Sequence, residues 1–193
     1  MIIGGFHPLS LSDFPETPAA VLFLQGCNWQ CRYCHNQELI PRKAQGPALD
    51  YATILECLRA RDKILRGVVF TGGEPTLHND LQQYMVRVKK LGLRIKLDSN
   101  GSHPRRLRSL VQSGVLDYIA MDIKAPLDKY EMITGTRVKK EDILESIDII
   151  STSGIKHQFR TTWPTELLTQ GDIEEIRSFL PARSPYVLQK CRR

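Results

Sequence analysis

Three of the chain's five cysteines fall within eight residues, as Cys27, Cys31 and Cys34. Their C-x3-C-x2-C spacing puts three soft thiolate donors in one short loop. With an odd cysteine count, such a cluster points to metal ligation rather than to disulfides. Common all-cysteine sites for zinc or a [4Fe–4S] cluster take four protein ligands. Three thiolates can hold three irons of a cubane and leave the fourth open to a small molecule. The competing chemistry is a Cys3His zinc knot completed by His35, but an imidazole directly after Cys34 would struggle to close a tetrahedron. The remaining cysteines carry less. Cys57 sits in a helical pattern from Tyr51 to Leu65 and reads as a small buried hydrophobe. Cys191, between Lys190 and Arg192, reads as incidental.

Further polar and glycine-rich groups recur at the ends of short apolar runs. GCNWQCRYCHN follows the run Ala19 to Gly26, and Gly67 to Gly73 ends in TGGEP. Leu93 to Gly101 ends in DSNG, Asp117 to Lys124 ends in MDIK, and Lys156 to Pro164 carries Arg160 before TTWP. A sixth run is Tyr186 to Lys190. The first run is apolar enough to be a strand buried on both faces.

Helical patterns separate the runs. One starts behind a capping Asp50 with Ile54, Leu55, Leu58 and Leu65 on its apolar face, after a Pro/Gly loop from Pro41 to Pro47. Others run from about Asn79 to Leu91, from Pro104 to near Gly114, from Lys140 to Thr152, and from about Gly171 to Leu180. Strand–helix alternation of this kind specifies parallel strands joined by right-handed crossovers. The expected fold is therefore α/β, a partial (β/α)6 TIM-like open barrel of parallel strands in a single domain, 1–193, with a flat doubly wound sheet as the alternative. In such barrels the active site is built at the C-terminal ends of the strands, where the unusual residues of this chain gather.

Composition narrows the remaining classes. With 41% hydrophobic and 25% charged residues, the chain has the balance of a soluble enzyme, and no apolar run approaches the length of a membrane span. The first residues show no basic segment before a long apolar one, so a cytoplasmic protein is expected. The net charge is +6, with basic residues concentrated from Arg87 to Arg108. Few aromatics interleave with them, so solvated helix faces are the better reading than a nucleic-acid surface.

CNWQCRYCHN followed by TGGEP resembles the radical S-adenosylmethionine superfamily. Within it the chain is most similar to the glycyl-radical enzyme activating enzymes, of the anaerobic ribonucleoside-triphosphate reductase and pyruvate formate-lyase activating types. The resemblance covers nearly the whole chain. It implies that Cys27, Cys31 and Cys34 ligate a [4Fe–4S] cluster whose unique iron binds S-adenosyl-L-methionine. Tyr33 would lie beside the adenine. Gly72, Gly73 and Glu74, with Pro75, would meet the methionine amino group, with Glu74 bracing the turn. Asp98, Ser99 and Asp122, together with Met121, would line the methionine end and the ribose, where some relatives hold a monovalent cation. Lys124 would pair with the ligand carboxylate, and Arg160 is a second candidate for that charge.

The activity implied is reductive cleavage of S-adenosylmethionine to a 5′-deoxyadenosyl radical, which takes a hydrogen atom from a glycine of a partner enzyme. The implied partners are a glycyl-radical enzyme, above all an anaerobic ribonucleotide reductase, and a flavodoxin or ferredoxin-type electron donor; no membrane or nucleic-acid partner is expected. The chain departs from some relatives in having no second cysteine cluster, and Gln189 is its one polar candidate for a ribose contact on the last strand. Two other readings stand beside this one: radical chemistry on a small molecule, peptide or RNA, and a non-catalytic zinc- or cluster-binding module.

Overall fold

A computed structural model describes residues 1–43 and 49–191. Seven strands form one sheet in chain order: β1 (Ile3–Ser10), β2 (Ala19–Leu24), β3 (Gly67–Gly72), β4 (Arg94–Ser99), β5 (Tyr118–Asp122), β6 (Lys156–Trp163) and β7 (Tyr186–Lys190). Strands β2 to β7 are parallel neighbours, as expected for an α/β open barrel. The first strand is the departure: β1 pairs antiparallel with β2 and forms one edge of the sheet. Its sequence, IGGFHPLS, hides it. Two adjacent glycines and a proline suit an edge strand with register irregularities, and β1 has such irregularities at Ile3/Gly5 and His7/Ser10.

The helices follow the expected order, with α1 (Tyr51–Arg59), α2 (Leu81–Lys89), α3 (Pro104–Gln112), α5 (Lys140–Thr152) and α6 (Gln170–Phe179) after successive strands. Asp50 caps α1 by accepting from the Thr53 amide at 3.1 Å. α1 stops at Arg59, short of the Leu65 expected for its pattern, yet Leu65 is buried through the turns that follow. The loop expected from Pro41 to Pro47 lies outside the described residues from position 44 onward. An additional short helix, α4 (Tyr130–Thr134), ends on left-handed Gly135; five residues are too few to show a helical period in sequence. No helix among the described residues is long and apolar enough to cross a membrane.

Strand alternation divides the sheet into two faces. Val68 and Phe70 of β3, Ile95 and Leu97 of β4, and Ile119 and Met121 of β5 join the core between sheet and helices. Burying each large side chain there contributes about 1.5–3 kcal/mol. The alternate residues point to the concave side, where Phe14, Ala19, Val21 and Val69 fill one part. Lys96 and Asp98 of β4, Asp122 of β5, and Gln158 and Arg160 of β6 share the same strand parity and make the rest of that face polar.

The basic stretch is largely engaged by the protein itself. Lys89 pairs with Asp117 at 2.7 Å and Arg108 with Glu145 at 2.9 Å. Arg94 lies over the Phe14 ring, Arg87 over Tyr84, and Arg106 donates to the carbonyls of His78 and Asn79. Lys96 is buried. Arg94 and Lys96 lie on β4 rather than on a solvated helix face.

Candidate active site at the rim of the sheet

The chain leaves β2 through a loop that is closed on itself before any cysteine side chain matters. The buried Gln25 amide donates to the carbonyls of Glu38 at 2.8 Å and Pro41 at 2.7 Å, while Gly26 and Cys27 donate backbone N–H groups to Leu39 and Ile40. Farther along, the Gln30 and Arg32 amides donate to the carbonyls of Thr134 and Ile133, which attaches the loop to α4. Trp29 is buried edge-on against Tyr130, with ring centroids 5.9 Å apart. Cys57, by contrast, is half-buried on α1 and accepts from Arg61 at 2.7 Å, so it is not the buried hydrophobe expected.

The loop after β3 comes within touching distance of the cysteine loop, and this is why two glycines stand there. Gly72 has φ +110°, and a Cβ on Gly73 would lie 2.1 Å from the Gly26 carbonyl oxygen. The Gly73 amide donates to Leu24 O and the Glu74 amide to Gly26 O, both at 2.8 Å. Glu74 itself is fully buried behind the cavity wall rather than on it. Its carboxylate accepts from Thr76 N (3.0 Å), Thr76 Oγ1 (2.5 Å), Ser99 Oγ (2.9 Å) and Asn100 N (2.6 Å). Burial pushes this carboxyl above its ordinary range, and the four donors oppose that rise. Of the expected site residues, Glu74, Pro75 and Met121 do not line the cavity; the place of Glu74 in the structure is the brace of the turn.

The opposite wall is ionic. Asp98 pairs with Lys96 and with Arg160 Nη2, the latter at 3.1 Å. Asp122 pairs with Arg160 Nε and with Lys124 Nζ, the latter at 2.9 Å. One guanidinium thus bridges the two carboxylates. Burial alone would raise the Asp122 carboxyl, but Arg160 and Lys124 outweigh it and hold the group well below the usual range. Burial likewise disfavours the Lys124 ammonium, yet Asp122 holds its pKa well above the ordinary value. The two carboxylates, expected as the place where some relatives hold a cation, are already bridged by Arg160.

Cys27, Cys31, Tyr33, Cys34, Gly72, Gly73, Asp98, Ser99, Asp122, Lys124 and Arg160 all line one cavity of about 180 Å³. Burial pushes the Cys27 thiol up to about 11; it also raises Cys31, where Lys124 pulls the other way. The Tyr33 hydroxyl is buried without a hydrogen-bond partner, so this wall has an unmet polar group. Among the described residues no three His, Cys, Asp or Glu side chains converge on one ion position. The three cysteines of this wall are one thiol for each of three irons of a cubane.

Thr71, Asn100 and Thr162 also line the cavity and were not anticipated. Strand parity would have found two of them, since Thr71 stands two residues after inward Val69 and Thr162 two after Arg160. Gln189 lies outside this cavity, in a neighbouring shallow one with His35, Thr162 and Lys190. Cys191 is not incidental in position: its sulfur lies 3.8 Å from His35 Nε2 at the same rim.

The chain and its fold are similar to those of known proteins. A Methanocaldococcus jannaschii protein named "Putative glycyl-radical enzyme activating enzyme" is 32% identical over 98% of this chain and 79% of its own length. The crystal structure of Streptococcus suis SuiB bound to precursor peptide SuiA superposes with a TM-score of 0.68 at 16% identity, over 89% of this chain. This chain spans 38% of that structure's length. Escherichia coli QueE superposes with a TM-score of 0.57 at 17% identity, over 97% of this chain and 93% of that one. Residues 21–180 match the model of the Radical SAM superfamily, and the chain belongs to that superfamily, whose cofactors are a [4Fe–4S] cluster and S-adenosylmethionine.

Proposed function

We propose that residues 1–193 act as one domain that holds the cluster through Cys27, Cys31 and Cys34, binds S-adenosylmethionine beside it, and installs a glycyl radical on a partner enzyme. The observation that carries this reading is the single cavity where the three thiols face both Gly72–Gly73 and the Asp98–Arg160–Asp122–Lys124 chain. When bound, the cluster and S-adenosylmethionine supply one-electron cleavage of a sulfonium and abstraction of a hydrogen atom.

The chain's own residues bind, orient and shield. Cluster assembly requires the thiols to lose their protons, a step that burial opposes at Cys27 and Cys31 and the Lys124 ammonium assists at Cys31. Lys96, Lys124 and Arg160 meet two carboxylates, Asp98 and Asp122, so the ionic wall keeps one positive charge in excess. That excess suits the carboxylate of an amino-acid ligand, with Lys124 as its first partner and Arg160 its second. The Gly72–Gly73 backbone takes the ligand ammonium, and Asp98 and Ser99 flank it. Asp122 fixes Lys124, Tyr33 lies against the adenine and offers its unpartnered hydroxyl, and Glu74 supports the wall from behind. The partner class follows the name of the Methanocaldococcus jannaschii relative. Within that class an anaerobic ribonucleotide reductase is the partner proposed, with a flavodoxin or ferredoxin-type protein supplying the electron.

A second reading keeps the radical chemistry and replaces the partner with a small molecule. It is favoured by the similarity to a Thermococcus kodakarensis protein named "7-carboxy-7-deazaguanine synthase", 26% identical over 85% of this chain. One experiment addresses both. The chain is reconstituted with iron and sulfide under anaerobic conditions, reduced, and supplied with S-adenosylmethionine, with and without an anaerobic ribonucleotide reductase. Release of 5′-deoxyadenosine together with a glycyl-radical signal on the reductase supports the first reading. Nucleoside release with no radical on the reductase turns the case to the second. A chain that binds zinc and forms no cluster overturns both.

A further inference from the structure

Three side chains at the foot of the cysteine loop form a closed hydrogen-bond ring. Asn28 Nδ2 donates to Ser102 Oγ at 2.9 Å, Ser102 Oγ donates to Asn100 Oδ1 at 2.6 Å, and Asn100 Nδ2 donates back to Asn28 Oδ1 at 2.9 Å. The direction of the ring is fixed by the backbone. The Ser102 amide also donates to Asn100 Oδ1, at 2.9 Å, so the acceptor end of the Asn100 carboxamide must face Ser102. Its amide nitrogen is then left for Asn28, which must present oxygen to Asn100 and nitrogen to Ser102. Since the Ser102 proton is committed to Asn100, the His103 Nδ1 that lies 2.9 Å from Ser102 Oγ must be the donor of that contact. Each vertex thereby specifies the next.

The ring joins loops that the proposed chemistry needs in register. Asn28 directly follows Cys27 on the cysteine loop, whereas Asn100 and Ser102 belong to the loop after β4. The backbone amide of Asn100 continues the chain of contacts to Glu74 Oε2 at 2.6 Å, and Glu74 braces the loop after β3. The thiols, the Gly72–Gly73 backbone and the end of β4 are therefore coupled through a continuous set of polar contacts. Asn100 alone of the ring lines the cavity; Asn28 and Ser102 face away, toward a second cavity with Arg137 and Lys139.

We propose that Asn28, Asn100 and Ser102 are positioning residues: their ring sets the register of the cysteine loop against the loops after β3 and β4, and with it the affinity for the amino-acid end of S-adenosylmethionine. The inference rests on the function proposed above. A hydrogen-bonded side-chain ring of this kind is cooperative, so removing any one vertex disables the other two.

The test uses the cluster-loaded protein with four changes: Ser102→Ala, Ser102→Thr, Asn28→Ala, and the Asn28→Ala/Ser102→Ala double. S-adenosylmethionine binding is read from the change it makes in the spectrum of the reduced cluster, and loop order from amide hydrogen exchange over residues 27–34. Ser102→Ala and Asn28→Ala each weaken binding about tenfold and speed exchange in the cysteine loop. The double variant is no worse than the worse single, because the ring breaks once. Ser102→Thr keeps the hydroxyl and restores both readouts. KM for S-adenosylmethionine rises in the broken variants more than kcat falls. Wild-type affinity and exchange in Ser102→Ala, additive losses in the double, or faster exchange spread evenly over the molecule would each overturn the ring. If the unaltered protein holds its cluster but ignores S-adenosylmethionine, the proposed function fails instead, and the exchange comparison still decides the ring.

Discussion

The two walls of the cavity are built on opposite physical terms. The cysteine wall is a loop held by the Gln25 side chain and two backbone amides bonded to the carbonyls of residues 38–41, and by backbone hydrogen bonds to α4, with burial retaining the protons of Cys27 and Cys31. The ionic wall rests on regular strands, where residues of one parity on β4 and β6, joined by Asp122 and Lys124, place charges in a row. A loop can shift to accept a metal cluster, since its shape depends on tertiary ties. A strand wall cannot shift without breaking the sheet, so its charges are fixed before any ligand arrives. The division assigns adaptability to the cluster end and preorganisation to the end that would meet an amino acid.

The sharpest way to break the comparison is to remove the loop's ligands. Cys27→Ala, Cys31→Ala or Cys34→Ala abolishes cluster formation and nucleoside release, while melting of the cluster-free protein stays close to wild type. Anaerobic absorbance and calorimetry check the two halves. If a cysteine change unfolds the cluster-free chain, the loop is part of the scaffold and the contrast between walls collapses.

The next effect belongs to the strands. Arg160→Met leaves Asp98 with Lys96 and Asp122 with Lys124 but removes the bridge between them, in a largely buried setting. Loss of one partner from such a network costs about 3 kcal/mol in denaturant unfolding. The pH dependence follows from the depressed Asp122 carboxyl. Its contribution is present above the unfolded carboxyl value of about 4 and is lost as pH falls through the folded value. The difference between wild type and Arg160→Met is therefore steady from about pH 5 to 8 and shrinks below about pH 4. A difference that grows in acid would contradict this pairing.

Glu74→Gln gives a smaller loss, because it tests the brace behind the wall. The carboxylate accepts four hydrogen bonds, and a carboxamide must set its nitrogen against a donor such as the Asn100 or Thr76 amide. About 2 kcal/mol of stability is expected to go, with the cysteine loop's iron binding retained. The family resemblance points to Glu74 as the brace of the turn, but not to its exclusion from the cavity. Strand runs and helix periods are legible because burial imposes period 2 on one and 3.6 on the other, so six parallel strands are expected, while their sequential order is set by the structure against a doubly wound alternative. Glu74 looked like a cavity residue because TGGEP stands at a strand end. Whether its side chain turns into the cavity or behind it depends on Ser99, Asn100 and Thr76, and no local period encodes those partners. β1 was hidden by its glycines and proline, and the Asn28 ring by its span of 74 residues between Asn28 and Ser102.

The last expected effect is an absence of change, and it discriminates well. Two carboxylates opening on one cavity resemble a site for a hard cation. Here the Arg160 guanidinium already lies between them, so a monovalent ion would have to displace a bidentate partner whose charge cannot be titrated away. Replacing potassium with a bulky organic cation at constant ionic strength should therefore leave S-adenosylmethionine affinity within about twofold. Arg160→Met reverses the situation, since Asp98 and Asp122 then face the cavity without their shared cation. Potassium should improve binding in that variant while the organic cation does not. If wild-type affinity instead depends on potassium, Arg160 moves aside when the ligand binds. The ionic wall would then be the adaptable one, and the contrast between a yielding loop and a fixed strand face would be reversed.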